Sequence, residues 1–65
     1  MKKYVVYEFE VGDQKLVIKN HGGDTYNVFF DGDEIDVFTA YAYNERDKEL
    51  AVNDWVTNWM DENFV

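Results

Sequence analysis

The chain has 65 residues, fourteen acidic side chains against six basic ones, and a net charge of −8. It has no Cys, Pro or Ser, which excludes thiolate and serine nucleophiles, disulfides and zinc–thiolate sites. The length allows one domain, residues 1–65, and its twelve aromatic side chains, each able to bury roughly 150–250 Å², supply the core that so short a chain otherwise lacks.

Met1-Lys2-Lys3 resembles the start of a signal peptide, but Glu8 and Glu10 interrupt the apolar run that should follow. No stretch approaches the roughly 20 apolar residues of a membrane span, so a cytoplasmic location and no membrane partner are expected. Tyr4 to Val11 alternates, with Val5, Tyr7, Phe9 and Val11 on one face, and so predicts a strand. Gly12-Asp13 suits a two-residue type II′ turn. That turn places Val11 opposite Gln14, Phe9 opposite Leu16 and Tyr7 opposite Ile18, and makes Glu10–Lys15 an opposite-charge pair on the other face. At His21-Gly22-Gly23-Asp24 a three-residue loop, Gly22 to Asp24, pairs Ile18 with Val28 and Leu16 with Phe30. A loop shorter by one residue would reverse every side chain. The third strand is expected over Thr25 to Asp31. Gly32-Asp33 repeats the earlier turn and pairs Phe30 with Ile35 and Val28 with Val37, opening a fourth strand from Glu34 to about Tyr43.

Asn44 is a good N-cap, and Glu45 and Asp47 sit where a helix dipole favours anions. Ala51, Val52, Trp55, Val56, Trp59 and Met60 form one apolar stripe over a helix of about residues 45–62, with the two Trp side chains buried on the sheet. Asp47, Asp54 and Asp61 recur at heptad spacing near the opposite side, and Leu50 points toward that acidic side. The predicted fold class is α+β: a four-stranded antiparallel β-meander with one C-terminal amphipathic helix packed on one face.

The charge is unevenly placed. Residues 1–23 hold three acids and four bases, and residues 24–65 hold eleven acids and two bases. Asp31, Asp33, Glu34 and Asp36 place four carboxylates in six residues. Alternate strand residues such as Glu34 and Asp36 lie roughly 6.6 Å apart, and helix residues seven apart, such as Asp47 and Asp54, about 10.5 Å apart. Rows of carboxylates at such spacings can engage the Lys and Arg of a nucleic-acid channel, whose natural ligand carries phosphates about 3.4 Å apart along each strand. Solubility through self-repulsion explains the same charge without a partner.

In length, lack of Cys, charge and the acidic rows Asp31/Asp33/Glu34/Asp36 and Asp47/Asp54/Asp61, the chain resembles the small acidic inhibitors that phages encode. These include DNA-mimicking anti-CRISPR proteins and uracil-DNA glycosylase inhibitors. The resemblance implies a non-enzymatic protein that blocks a basic, nucleic-acid-binding partner inside a phage-infected bacterial cell. No cofactor is expected, and the net charge of −8 argues against direct contact with nucleic acid.

Other chemistries fit less well. A calcium loop counted from Asp31 has Ile35 at position 5, Asp36 where Gly is needed and Ala42 at position 12, so no metal site is expected. His21 is the only histidine and lies in a Gly-rich turn, short of the Lys and helix start of a phosphate loop. Paired carboxylates could support glycoside hydrolysis, but the chain leaves little room for a cleft, and no catalytic residue is assigned. The alternative to mimicry is a small structural or adaptor domain, monomeric or homodimeric, that associates through the sheet face away from the helix. In the predicted register Phe29 and Phe38 are diagonal neighbours on that face, extended by Tyr4, Val6 and Val17.

Overall fold

A computed structural model describes residues 4–64; the Met1-Lys2-Lys3 start lies outside the described residues. Four strands, β1 (Val5–Val11), β2 (Gln14–Asn20), β3 (Thr25–Phe30) and β4 (Asp33–Thr39), form one antiparallel sheet in the order β1-β2-β3-β4. One helix among the described residues, α1 (Glu45–Asn63), follows. This is the α+β meander with a C-terminal helix that the sequence predicts. No helix among the described residues is long and apolar enough to cross a membrane.

The first two hairpins keep the predicted register. Tyr7 pairs with Ile18, Phe9 with Leu16 and Val11 with Gln14, around a turn in which Gly12 takes the positive φ, 63°, that a type II′ turn needs. Ile18 pairs with Val28 and Leu16 with Phe30. Glu10 does face Lys15, but the Lys15 ammonium lies 3.6 Å from the Glu8 carboxylate, a diagonal neighbour.

The third hairpin departs from expectation twice. Its turn is Asp31-Gly32, not Gly32-Asp33. Both residues have positive φ, 53° and 89°, the requirement of a type I′ turn and the reason Asp-Gly is a strong hairpin signal. Phe30 therefore pairs with Asp33. Continued without interruption, that register would still put Ile35 and Val37 on the helix side. A β-bulge at the Val28/Phe29 position prevents it: Phe29 pairs with Glu34 and Val28 with Asp36, leaving Ile35 as the extra residue. Beyond the bulge Asp36 and Phe38 face the helix. Ile35 and Val37, expected in the core, are exposed.

The packing gives the physical reason. Phe38 stacks on Tyr26 (centroids 4.9 Å apart, planes 7° apart) and on Trp55 of the helix (5.2 Å, 8°). Aromatic pairs contribute about 0.5–1.5 kcal/mol each beyond the area they bury. Two aliphatic side chains at positions 35 and 37 offer no such stack. The placement of Phe38 beside Phe29 on the open face is thus corrected: the two rings lie on opposite faces of the sheet. Phe29 stays on the open face, with the Lys19 ammonium 4.7 Å from its ring centroid.

The fourth strand also ends at Thr39, short of Tyr43. Thr39 pairs with Thr25, the first residue of β3, and the last cross-strand bond runs from the Ala40 amide to the Asp24 carbonyl. Beyond it no strand remains to pair with, and Tyr41 and Tyr43 stand in solvent. Asn44 caps the helix as expected, its Oδ1 accepting the Asp47 amide at 2.9 Å.

The buried core is Leu16, Ile18, Tyr26 and Val28 from the sheet with Val52 and Val56 from the helix. Trp55 and Trp59, predicted to be buried, are only half-buried; they flank this centre toward the β4 edge. Leu50 lies outside the core and is exposed. Asn20 is fully buried. Its amide nitrogen donates to the carbonyls of Gly23 and Thr25, its oxygen accepts from the Gly22 amide, and the Lys48 ammonium of α1 lies 3.5 Å from that oxygen. One polar side chain thereby holds the second loop and links it to the helix.

A domain of this length has roughly 3–10 kcal/mol of stability. Phe38→Ala should remove about 3 kcal/mol and lower the thermal midpoint by roughly 10–25 °C. Phe29→Ala on the open face should cost less than about 1.5 kcal/mol. Circular-dichroism melts of the two variants decide the face assignment, and equal losses would contradict it.

Candidate functional site

The acidic residues singled out in the sequence are sorted by the bulge. Before it, Asp33 shares the helix side of β4 with its partner Phe30; after it, Asp36 shares that side with Val28. Glu34 pairs with Phe29 on the open face, where its carboxylate accepts a 2.9 Å hydrogen bond from the Asn27 amide. The expected row Glu34/Asp36 is therefore split between the two faces of the sheet. Asp31 sits in the hairpin turn, with its amide bonded to the Lys15 carbonyl at 3.0 Å.

Asp36 lines a groove of about 160 Å³ between β4 and α1, together with Trp55, Asn58, Trp59 and Glu62. Its Oδ1 accepts the Val37 amide at 2.8 Å, which orients the carboxylate. The helical residues follow from spacing. At about 100° per residue, Glu62 and Asn58 stand about 20° and 60° around from Trp55, on the side away from Val52 and Val56. Continuing in that direction, Asp47, Asp54 and Asp61 lie about 80–120° from Trp55. Val52 and Val56 face the sheet about 60–100° to the other side of Trp55, so the Asp47/Asp54/Asp61 row lies about 160–180° from the buried face and points to solvent, with Asn58 and Glu62 between it and Trp55. Asp54 and Asp61 are exposed and Asp47 is half-buried.

The groove brings together Asp36, Glu62 and two Trp side chains. Glu62 and Asn58 are site residues that the sequence reading passed over. Their signal was present: Trp55, Asn58, Trp59 and Glu62 occupy i, i+3, i+4 and i+7, one side of a helix. A stripe read only as core concealed its border. The indole planes of Trp55 and Trp59 lie 12° apart with centroids separated by 6.3 Å. Trp59 meets Phe30 edge-on at 5.2 Å and Phe64 at 5.4 Å.

A second concavity, lined by Asp24, Tyr41, Ala42 and Tyr43, lies beside the β4–α1 connection. Among the described residues, no group of three or more His, Cys, Asp or Glu is placed to hold a metal. His21 packs against Tyr4 with the rings tilted by 46° and their centroids 4.7 Å apart. No protein-family model matches the chain, and comparisons with curated proteins and with solved structures return no match.

Acid density also acts on the core beneath. Burial raises the Tyr26 hydroxyl above its ordinary value, with Asp24 and Glu45 adding to the effect. Burial likewise raises Tyr7, helped by Tyr26, Glu45 and Glu49. A tyrosine whose pKa is raised in the folded state favours folding while it is neutral in both states. Above the ordinary value of about 10, the unfolded chain ionises first and stability falls as pH rises. The stability contributed by Tyr7 and Tyr26 should therefore be complete below pH 10 and lost progressively above it. Urea denaturation at pH 9, 10 and 11 measures this, and replacing Tyr7 with Phe should flatten the alkaline loss.

Proposed function

We propose that this protein is a non-enzymatic inhibitor that binds the nucleic-acid channel of a basic partner, its carboxylates standing in for phosphates. The observation that carries this reading is the meeting of Asp36 and Glu62 in the groove between β4 and α1, in a chain of net charge −8. Asp36 comes from the helix side of β4 and Glu62 from the helix, and both line the groove; Asp33 shares that side of β4, and Asp47, Asp54 and Asp61 lie on the outer side of the helix. Two carboxylates line the groove, and further acidic side chains are exposed on β4 and on the outer side of the helix. Such a surface attracts a basic partner over a range set by ionic strength. The anti-CRISPR-like setting, with a host-defence nuclease complex as the target, belongs to this same proposal.

The adaptor reading draws less support. Phe38 has left the open face for the core. Polar groups interrupt what remains there: the Lys15–Glu8 ion pair, Lys19 over Phe29, and the Asn27–Glu34 hydrogen bond.

The test is competition with DNA for purified RNA-guided nuclease complexes and uracil-DNA glycosylase, measured by cleavage or excision across a salt series. Inhibition should weaken as salt rises and be relieved by excess DNA. Exposed single ion pairs are worth about 0–1 kcal/mol each, so single substitutions should show little. The combined variant Asp36→Asn, Asp54→Asn, Asp61→Asn and Glu62→Gln should stay folded and lose at least about tenfold in potency, the equivalent of about 1.4 kcal/mol. Full potency in that variant would refute electrostatic mimicry.

A further inference from the structure

We propose that the groove between α1 and β4 is a receptor for the guanidinium group of an arginine side chain on a basic protein partner. The inference rests on the mimicry reading and deepens it: within a diffuse acidic surface there is one shaped socket, selective for arginine over lysine. Its occupant follows from size, charge and lining. Small-molecule sites commonly enclose about 300–1,000 Å³, whereas this groove encloses about 160 Å³, room for the head of one side chain. The surrounding charge selects a cation. With two carboxylates in its lining, the groove falls short of the 6–8 oxygen ligands that calcium takes.

The lining separates the two cationic side chains. Trp55 and Trp59 are half-buried, with nearly parallel indole planes, and Trp is the strongest partner for a cation over a ring. The guanidinium is planar and weakly hydrated, so it stacks on an indole at small desolvation cost. Its hydrogen-bonding edge carries five donors in a fixed fork. Asp36 from the strand and Glu62 from the helix present carboxylates from two different elements, and Asn58, one helical turn before Glu62, adds an amide oxygen to the lining. Among the described residues, the side chains of Glu62 and Asn58 make no hydrogen bond or ion pair, so both are available to a ligand. An ammonium, with three donors on one atom and a tighter hydration shell, fits two separated acceptors and a flat aromatic wall less well.

The experiment follows the indole N–H resonances of Trp55 and Trp59 in the intact chain. It is titrated at low salt with acetyl-Gly-Arg-Gly-amide and, separately, with acetyl-Gly-Lys-Gly-amide. The arginine peptide should shift both indole signals saturably and bind at least about fivefold more tightly than the lysine peptide. The double variant Asp36→Asn, Glu62→Gln, still folded by circular dichroism, should lose that preference. Equal affinity for the two peptides overturns the proposal, as do shifts spread evenly over all acidic residues without saturation at the tryptophans. Because the peptide comparison uses the wild-type chain, it holds even if the variant were unstable. The mimicry reading is judged separately, by salt-dependent competition with DNA. A chain that competes with DNA but treats the peptides alike would retain mimicry and lose the socket.

Discussion

The structure turns on the seating of Phe38 between Tyr26 and Trp55. Phe38 belongs to an edge strand, Tyr26 to an inner strand and Trp55 to the helix, so three elements meet in one column of parallel rings. Seating that ring on the helix side requires β4 to gain one residue relative to β3, and the bulge at Ile35 supplies it. The same displacement moves Asp36 to the helix side and leaves Ile35 and Val37 in solvent. A packing preference worth a few kcal/mol thus decides where a carboxylate of the candidate site points.

The bulge has a second consequence. β4 is an edge strand, and an unprotected edge invites pairing with other chains. Exposed Ile35 and Val37 would add to that hazard on a flat strand. A bulge with Asp33, Glu34 and Asp36 around it twists the edge and surrounds it with charge, which is how natural sheets keep such strands from self-association. Asn20 performs a comparable service inside the fold. Its fully buried side chain bonds to the backbone of the Gly22-Gly23 loop, where a buried polar group left unpaired would cost about 1–3 kcal/mol.

The charge pattern and the aromatic pattern are coupled. The helix must turn Val52 and Val56 to the sheet, and this fixes its rotation. With that rotation set, the tryptophans and Glu62 lie toward β4, and the Asp47/Asp54/Asp61 row points to solvent, about 160–180° from Val52 and Val56. Carboxylates beside half-buried indoles act in a less polar medium than carboxylates on an open surface, so their attraction for a cation is screened less.

Local pattern determined most of the architecture. The alternation of Tyr4–Val11, the Gly12-Asp13 turn, the length of the second loop, the Asn44 cap and the helical stripe are each local rules with one solution. The strands and helix came out where those rules put them, to within a residue or two, except at the end of β4. That strand stops because β3 begins at Thr25, a limit belonging to the partner and invisible in residues 40–43. The acidic rows were legible as composition and spacing, but their faces were not. Both two-residue turns open to residues 31–33 put Ile35 and Val37 inward by alternation alone. Only Trp55, seventeen residues further along the chain, made Phe38 the better core residue. Glu62 and Asn58 joined Asp36 for the same reason: a groove between strand and helix exists only after the helix has docked. Periodicity states what each element buries; the competition between two possible faces is settled by the neighbour that arrives from elsewhere in the chain.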